Sequence, residues 1–168
     1  IRAVVGLDQV EWFGVSAAPT PPEVIEFFLA IGIEICELWG MSEASATVTL
    51  NPPGRIRVGT VGPPLPGIEV KLADDGEVMI RGPIVMKGYY RDEALTREAI
   101  PDGWFRSGDL GYIRADGNLV ITGRSKDVIV LANGKNVYPE ELEAHYGQTP
   151  YVKELCIIGI PQSPSEPA

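Results

Sequence analysis

The order of apolar and polar positions in the first fifty residues predicts a strand, a helix and a second strand. Residues 3–6 form a short apolar run, and apolar side chains in the segment 24–31 then recur at helical spacing with glutamates on the opposite side. The apolar run 33–39 follows as the second strand. Strands joined in this way are parallel neighbours, so the loop at 16–18 and the turn at Gly40 would lie at one sheet edge, where open α/β sheets bind ligands.

Short alternating segments with closely spaced turn residues follow residue 51 and predict antiparallel β structure. Each predicted hairpin alternates apolar with polar positions on either side of a turn that contains glycine, which is the pattern of a half-buried sheet. The predicted elements are hairpin strands at 68–72 and 77–81, a helix at 93–100, and hairpin strands at 112–114 and 118–122.

The polar, glycine-containing segment 123–127 lies between two β segments and is the best candidate for an interdomain linker. Beyond it the sequence predicts a hairpin with strands at 128–131 and 136–138, a helix at 139–146 and a strand at 155–160. The chain is therefore predicted to have a mixed α/β fold, built from a βαβ layer, an antiparallel β subdomain and a small α+β part.

The composition of the chain argues against some classes of binding partner. With 168 residues, 45% of them apolar, the chain is long and apolar enough for a packed core. The formal charge of −9, without a basic block, argues against a nucleic-acid groove, although it does not exclude a single small nucleotide. No apolar run approaches the length of a transmembrane span, so no transmembrane segment is expected, and peripheral association with a membrane stays open. Nothing in the sequence indicates an oligomeric state.

The rarer residue types carry further expectations. Cys36 and Cys156 each lie in an apolar, strand-like run with no second cysteine nearby, so both are expected to be reduced core residues, which fits a cytoplasmic protein. His145, the only histidine, has no acid or thiol partner apparent in the sequence and is expected to be a surface or packing residue. The chain begins at Ile1 without an initiator methionine or a signal-peptide layout, so we expect it to be cut from a longer protein.

Candidate chemistry is concentrated at the end of the second predicted strand. Gly40 permits close approach of a phosphate to the backbone, Ser42 supplies a hydroxyl, and Glu43 supplies a carboxylate able to hold the accompanying Mg²⁺. The alternative interpretation makes Ser42 an ordinary helix N-cap. Similar alternatives exist downstream, where Asp109 is explained equally by a turn carboxylate bonded to its own backbone and Lys126 by a solvated linker charge.

Four motifs occur in an order and spacing that resembles the adenylate-forming enzymes. They are residues 39–43 (Trp-Gly-Met-Ser-Glu), 76–90 (from Gly-Glu-Val to Gly-Tyr-Tyr), 104–111 (Trp-Phe-Arg-Ser-Gly-Asp-Leu-Gly) and 123–127 (Gly-Arg-Ser-Lys-Asp). Within that family the chain is most similar to the bacterial long-chain fatty acyl-CoA ligases. The resemblance implies a large domain that ends with a βαβ part at 1–50 and a β subdomain at 51–123, a hinge at 124–127, and the start of a small C-terminal domain at 128–168.

The resemblance also implies the residues of the site. The nucleotide contacts that it implies are Ser16, Ala17, Ala18, Trp39, Gly40, Met41, Ser42, Asp109, Ile121 and Arg124. Among these, Trp39 would stack on adenine, Ser42 would contact the α-phosphate, and Asp109 would take both ribose hydroxyls with its two acceptor oxygens. Glu43 would be the Mg²⁺ ligand and would act in catalysis with Ser42.

The implied reaction joins a fatty acid to coenzyme A. The fatty acid carboxylate attacks the α-phosphate of ATP, with Mg²⁺ and fixed donors neutralising the developing charge, and the acyl-adenylate then loses AMP to the thiol. Lys126 would lie on the catalytic hinge about which the small domain rotates between these two steps. After rotation, Gly134 would line the tunnel for the pantetheine arm of coenzyme A.

Two parts of the family pattern have no counterpart in the sequence. One is the loop ending in Pro-Lys that cradles the outer phosphates, and the other is the catalytic lysine near the enzyme's C-terminus, which neither Lys135 nor Lys153 matches. The chain is therefore expected to be a central slice of the enzyme that is inactive in adenylation by itself. Two alternatives stay open, namely an acyl-AMP ligase that loads an acyl-carrier protein and a nucleotide-binding module without catalysis.

Overall fold

The computed structural model describes residues 2–131, 133–147, 149 and 151–160. The first part of the protein is a three-stranded sheet with the order β1 (Phe13–Val15), β2 (Ile35–Trp39) and β3 (Thr49–Leu50). Strand β1 is parallel to β2, and β2 is antiparallel to β3. Helix α1 (Pro22–Ala30) connects β1 to β2, so the predicted βαβ order is confirmed.

The predicted strand at residues 3–6 is wrong, and β1 lies later in the chain. The backbone N–H of Leu7 donates to the carbonyl of Arg2 at 2.8 Å, which closes this run into turns. Val4 is 89% exposed, so the apolar side chains of the run are not used for packing. An apolar run without a partner strand cannot form a ladder, and here the donors are already satisfied within the turn.

Helix α1 begins at Pro22, whose fixed φ angle suits the first helical position. On this helix Ile25 is completely buried, whereas Phe27 is 60% exposed. The predicted helix is therefore confirmed, but only part of its apolar stripe is covered by the described residues.

The second part of the protein is a four-stranded antiparallel sheet that contains both predicted hairpins. Its strands follow each other in space as in the sequence: β4 (Glu69–Leu72), β5 (Glu77–Arg81), β6 (Phe105–Ile113) and β7 (Leu119–Arg124). Strand β6 is longer than the sequence predicts, because Gly108 at a φ of +74° and a register shift after Leu110 let the ladder continue through an irregularity.

The predicted helix between the hairpins is α2 (Glu93–Ala99). The carboxylate of Asp92 caps it by accepting a hydrogen bond from the backbone N–H of Leu95 at 2.9 Å. This cap fixes where the helix begins, immediately after the Gly88 to Tyr90 segment of the recognised motifs.

A single buried cluster joins the two sheets. It contains the apolar residues Trp39, Ala44, Val48, Ile68, Val78, Ile80, Phe105 and Leu119. Removing each large apolar side chain of this kind from water stabilises the fold by roughly 1.5–3 kcal/mol. Because the cluster includes the last residue of β2 and the first of β6, packing places the carboxyl end of β2 directly against the second sheet.

The chain after β7 forms the predicted hairpin and helix. A 3-10 turn (Ser125–Asp127) leads to β8 (Ile129–Val130), β9 (Asn136–Val137) and helix α3 (Pro139–Tyr146). His145 is exposed on α3, as expected for a surface residue. The domain boundaries given by the sequence stay predictions, and residues 161–168 lie outside the described part of the chain.

The predicted strand at residues 155–160 is wrong. No strand in the described part of the chain pairs with the segment, and the backbone N–H of Ile157 donates instead to the carboxylate of Glu143 at 2.8 Å. Cys156 is exposed, whereas Cys36 is buried, so the core prediction holds for Cys36 only. The apolar composition of the segment could not reveal that none of the described strands lies beside it to pair with it.

Candidate functional site

A cleft opens where the carboxyl end of β2 meets β6 and β7. It is lined by residues from all four motifs, among them Gly40, Met41, Glu43, Tyr89, Asp109 and Arg124. The fold thus brings together side chains that are far apart in the sequence.

Asp109 is the most constrained acid of the cleft. Only 6% of it is exposed, and its Oδ2 accepts a hydrogen bond from the indole Nε1–H of Trp39 at 2.7 Å. Its Oδ1 lies 3.0 Å from Nε of Arg124, which faces it across the β6–β7 ladder. The interpretation of Asp109 as a turn carboxylate is therefore wrong, because its partners are on other strands.

Opposing influences act on the ionisation of Asp109. Burial raises the pKa of this carboxyl above its usual value, and the hydrogen bond from Trp39 and the charge of Arg124 counteract that rise. The nearby carboxylate of Glu77 adds to the rise. The two donors are thus what keeps a buried acid able to carry its negative charge.

The turn after β2 presents Glu43 to the cleft. Ser42, Glu43 and Ala44 form one turn of 3-10 helix, and its N-cap is Met41 without a side-chain cap bond, so the N-cap interpretation of Ser42 is wrong. Ser42 is exposed. A Cβ at Gly40 would lie 1.8 Å from the carbonyl oxygen of Ala46, so only glycine allows this turn to close.

Glu43 is held by the segment that precedes α2. Its Oε1 accepts a hydrogen bond from the hydroxyl of Tyr89 at 3.2 Å, and its backbone carbonyl accepts one from Met86 N–H at 2.7 Å. Between them, these bonds orient the carboxylate. Sequence reasoning missed Tyr89, since it lies 46 residues from Glu43 and no local pattern relates the two.

The donor set of the cleft fits Mg²⁺ that arrives with a nucleotide. Among the described residues no group of three or more His, Cys, Asp or Glu side chains is placed to hold a metal ion. Mg²⁺ is usually bound by one or two carboxylates together with waters and substrate phosphates. Glu43 provides one such carboxylate, with no hydrogen bond from the described residues to its Oε2.

The remaining predicted contacts lie at the margin of the cleft or away from it. Ser16, Ala17 and Ala18 follow β1 at the same sheet edge as Gly40, because β1 and β2 are parallel. Ala17 adopts a φ of +77°, a conformation that favours glycine. Trp39 is buried, with 8% exposed, so stacking of its ring face on adenine stays a prediction that this conformation does not itself provide.

Three further predicted residues belong to β7 and the segment after it. Ile121 packs against the buried cluster, Lys126 lies in the 3-10 turn that follows β7, and Gly134 lies in the β8–β9 turn with open space around it. None of the three is among the residues that line the cleft. Their roles in the hinge, the nucleotide site and the coenzyme A tunnel stay predictions.

A second buried acid, Glu77, which the sequence did not single out, holds strand β6 through a hydrogen bond and an ion pair. Glu77 is 5% exposed, its Oε1 accepts the backbone N–H of Gly108 at 2.7 Å, and its Oε2 pairs with Arg106. Arg106 also pairs with Asp75 at 2.9 Å. This network fixes the backbone one residue before Asp109.

Helix α3 brings another carboxylate close to β7. A Cβ at Gly123 would lie 2.3 Å from Oε2 of Glu140, and this oxygen is buried with no partner among the described residues. Burial, followed by the charges of Asp127 and Asp109, raises the pKa of Glu140. The part after the linker therefore touches the sheet through a carboxylate of which one oxygen, Oε2, has no partner among the described residues.

Curated relatives of the chain are acyl-CoA ligases. The long-chain fatty acid–CoA ligase FadD15 of Mycobacterium bovis is 43% identical over 142 residues, which are 84% of this chain and 24% of that protein. The 2-succinylbenzoate–CoA ligase of Listeria monocytogenes is 38% identical over 145 residues, or 85% of this chain and 31% of the relative. The chain thus spans about a quarter to a third of the length of these relatives.

Solved structures agree with the fold. The o-succinylbenzoate CoA synthetase (MenE) from Bacillus subtilis, in complex with the acyl-adenylate intermediate OSB-AMP, matches with a TM-score of 0.86 and 28% identity over 93% of this chain and 34% of that one. The same enzyme with ATP and magnesium ion matches with a TM-score of 0.76 and 30% identity over 84% of this chain and 32% of that one. The mixed α/β fold predicted from the sequence is thereby confirmed.

In the part of the chain that the structure describes, no helix is both long and apolar enough to cross a bilayer. The family described as AMP-binding enzyme matches residues 3–90, more than half of the chain. Together with the relatives above, this match confirms the resemblance drawn from the four motifs. The chain belongs to the AMP-binding enzyme family.

Proposed function

We propose that the chain is the nucleotide-binding part of an ATP-dependent ligase that activates a fatty acid as acyl-AMP and transfers it to coenzyme A. The observation that carries the proposal is the convergence of Glu43, Asp109 and Arg124 on one cleft. In this arrangement the nucleoside monophosphate would lie between the Gly40 turn and strand β6.

In this proposal, different polar side chains contact different parts of the nucleotide. Oδ2 of Asp109 accepts a hydrogen bond from Trp39 and Oδ1 is paired with the charge of Arg124, and each oxygen has a further acceptor site for one ribose hydroxyl. Arg124 is half exposed beside Asp109 and would contact the ribose from the other side. The hydroxyl of Ser42 would donate to the α-phosphate at the end of β2.

In the reaction, a carboxylate oxygen of the fatty acid would form a bond to the α-phosphorus while the bond to pyrophosphate breaks. Both reactants are anionic, so donors held in place before the reaction lower the barrier most. The Mg²⁺ that accompanies ATP would supply charge neutralisation at the phosphates when bound, and Glu43 is the residue that would hold it. The protein's own part is to fix the ribose, the α-phosphate and this carboxylate relative to one another.

The fatty acyl substrate is supported by the name of the FadD15 relative, whereas the MenE structure holds an o-succinylbenzoyl adenylate. A long-chain fatty acid is therefore part of the proposal, as are coenzyme A as acceptor and a cytoplasmic location. Transfer to an acyl-carrier protein would use the same adenylate site, and the described residues contain nothing that separates the two acceptors.

Isothermal titration with AMP and Mg²⁺ tests the nucleotide site. We expect the parent chain to bind AMP and Asp109→Ala to bind at least about tenfold more weakly, since hydrogen bonds to a charged group are lost. Asp74→Ala, which removes an exposed acid in the β4–β5 turn, is the matched control and should leave binding unchanged. Absence of binding to the parent chain would refute the proposed function for this chain.

A further inference from the structure

Trp39 contacts the proposed ribose acid through its only polar atom. It is the last residue of β2, it belongs to the buried cluster, and 8% of it is exposed. The indole has a single donor and no acceptor, and here that donor is 2.7 Å from Oδ2 of Asp109, 70 residues further along the chain. The contact therefore ties the end of one sheet to the middle of the other.

The Asp109 carboxylate is held from two sides. The indole N–H of Trp39 on β2 donates to Oδ2, and the guanidinium of Arg124 on β7 forms an ion pair with Oδ1. The backbone N–H of Asp109 is fixed as well, by Ser107 Oγ at 3.0 Å. A carboxylate clamped at both oxygens has one orientation, and its remaining acceptor directions are set before any ligand arrives.

We infer that Trp39 is a positioning residue for ribose recognition, acting through the Asp109 carboxylate. The inference rests on the proposed function, because it assigns a role within the proposed nucleotide site. Phenylalanine at this position would keep most of the packing but has no donor, so Oδ2 of Asp109 would be left buried without its partner.

The hydrogen bond from Trp39 also affects the ionisation of Asp109. Burial raises the pKa of Asp109, and the Trp39 donor is the largest influence that opposes this rise. Loss of the donor would therefore weaken the ionised form that accepts the two ribose hydroxyls. A mainly structural tryptophan would have no such effect on the ligand's hydroxyl groups.

A comparison of two ligands separates this role from adenine stacking. We would titrate the parent chain and Trp39→Phe with AMP and with 2′,3′-dideoxy-AMP, which keeps the adenine and the phosphate but lacks the hydroxyls that Asp109 would bind. The variant should bind AMP about tenfold more weakly and dideoxy-AMP within about twofold of the parent, because the lost interaction acts only through the hydroxyls. An equal loss for both ligands would mean that Trp39 acts on the adenine, and would overturn the inference.

Trp104→Phe is the matched control for this comparison. The cationic groups of Lys71 and Arg81 lie 4.2 Å and 4.3 Å from the ring centre of Trp104, and none of the hydrogen bonds of the described residues joins Trp104 to Asp109. Its substitution should leave the affinities for both ligands unchanged. A ligand-dependent loss in this variant as well would show that the effect is not specific to Trp39, and would overturn the inference.

A measurement without nucleotide covers the case in which Trp39→Phe does not fold. The indole N–H signals of ¹⁵N-labelled chain are assigned by elimination with Trp12→Phe and Trp104→Phe. The Trp39 signal should exchange with solvent more slowly than that of Trp12, which is 50% exposed, and it should shift in Asp109→Ala. If the signal does not respond to Asp109→Ala, the inference fails even where AMP binds; if it responds but the parent binds no AMP, the proposed function fails and the ribose role fails with it.

Discussion

The regions before and after residues 125–127 are held together in different ways. The earlier region contains the buried cluster, with Ile80 and Val78 completely inaccessible and Trp39 and Phe105 nearly so. Beyond residue 127, no residue that the structure describes is buried. The side chains proposed to grip the nucleotide lie in the first region, and the residues expected to move or to guide coenzyme A lie in the second.

This difference matches what the proposed two-step reaction would need from the two regions. In the proposed reaction a ribose and a phosphate would have to be held in one position, and Asp109 and Glu43 lie on elements that pack against the buried cluster. A segment that exchanges its contacts between steps must separate from the core at little cost. Helix α3 meets the sheet at Gly123 through the carboxylate of Glu140, whose Oε2 has no partner among the described residues, which is a weak contact of the expected kind.

The largest predicted effect is the difference in stability between two truncations, one in each region. Ile80→Ala should lower the free energy of unfolding by about 2–5 kcal/mol, because it removes a completely buried side chain from the cluster. Ile158→Ala, at a position that is 69% exposed, should change it by less than about 0.5 kcal/mol. Urea unfolding followed by circular dichroism measures both. Similar losses in the two variants would contradict the contrast between the regions.

Two glycine substitutions, one in each region, test the same difference at the level of the backbone. Gly40→Ala should destabilise the chain by about 2–3 kcal/mol and abolish AMP binding, since the new Cβ would meet backbone atoms of the Ala46 peptide. Gly134 has open space around it and a φ of +78°, so Gly134→Ala should cost only about 1 kcal/mol of backbone strain. AMP binding, measured by titration calorimetry, should survive in this second variant; its loss there would place the hairpin turn in the nucleotide site of the free chain.

A pH-dependent difference is expected from Glu37 on β2. Burial raises the pKa of this carboxyl from 4.5 to about 7, and its Oε2 has no hydrogen-bond partner in the described residues. The folded state therefore binds more protons than the unfolded state between these values, so Glu37 lowers the stability progressively as the pH rises from about 4.5 to about 7. Above that window the lost stability is about 1–3 kcal/mol.

Urea unfolding at pH 5 and pH 8 tests this sign. The stability of Glu37→Gln relative to the parent should be higher at pH 8 than at pH 5, because the variant has no carboxyl to ionise. Glu140→Gln should change in the same direction and by less, since the pKa of Glu140 is also raised by burial but α3 lies against the sheet without a buried core of its own. A relative stability of Glu37→Gln that does not vary with pH would rule out the buried charge.

The sequence predicts local elements in both regions but not the partners of those elements. Helix α1 and the three hairpins follow from periodicity and turn residues within a few positions, so they could be predicted. The strands expected at 3–6 and 155–160 fail for one reason: an apolar run indicates burial only where another strand or helix is available to cover it. In the structure the first run closes into turns, and the second is not paired with any strand of residues 2–131, 133–147, 149 and 151–160.

The same distinction between local patterns and long-range partners explains which features of the candidate site could be predicted. The resemblance of four motifs identified Glu43, Asp109 and Arg124, which the fold brings to one cleft. It did not identify how Trp39 and Tyr89 orient the two acids, because these contacts join residues 70 and 46 positions apart. Chemistry carried by one residue can be anticipated from a motif, whereas orientation depends on packing between motifs.

The smallest predicted effect tests such an orienting contact with two adjacent tyrosines. Tyr89 donates its hydroxyl to Glu43 Oε1 at 3.2 Å, and its backbone N–H donates to Thr96 Oγ1 at 2.9 Å, so α2 fixes the ring's position. Tyr90 is 85% exposed and provides the matched control. Tyr89→Phe should lose about 0.5–1.5 kcal/mol of the AMP affinity that is gained on adding Mg²⁺, because Glu43 would be free to turn away from the metal. Titrations with and without Mg²⁺ measure that gain, and the affinity without Mg²⁺ should stay constant in both variants. If Tyr90→Phe reduced the gain equally, the loss would reflect a disturbed loop; if neither variant reduced it, the cleft would hold Glu43 without help from α2, and packing around the 3-10 turn alone would have to set the carboxylate.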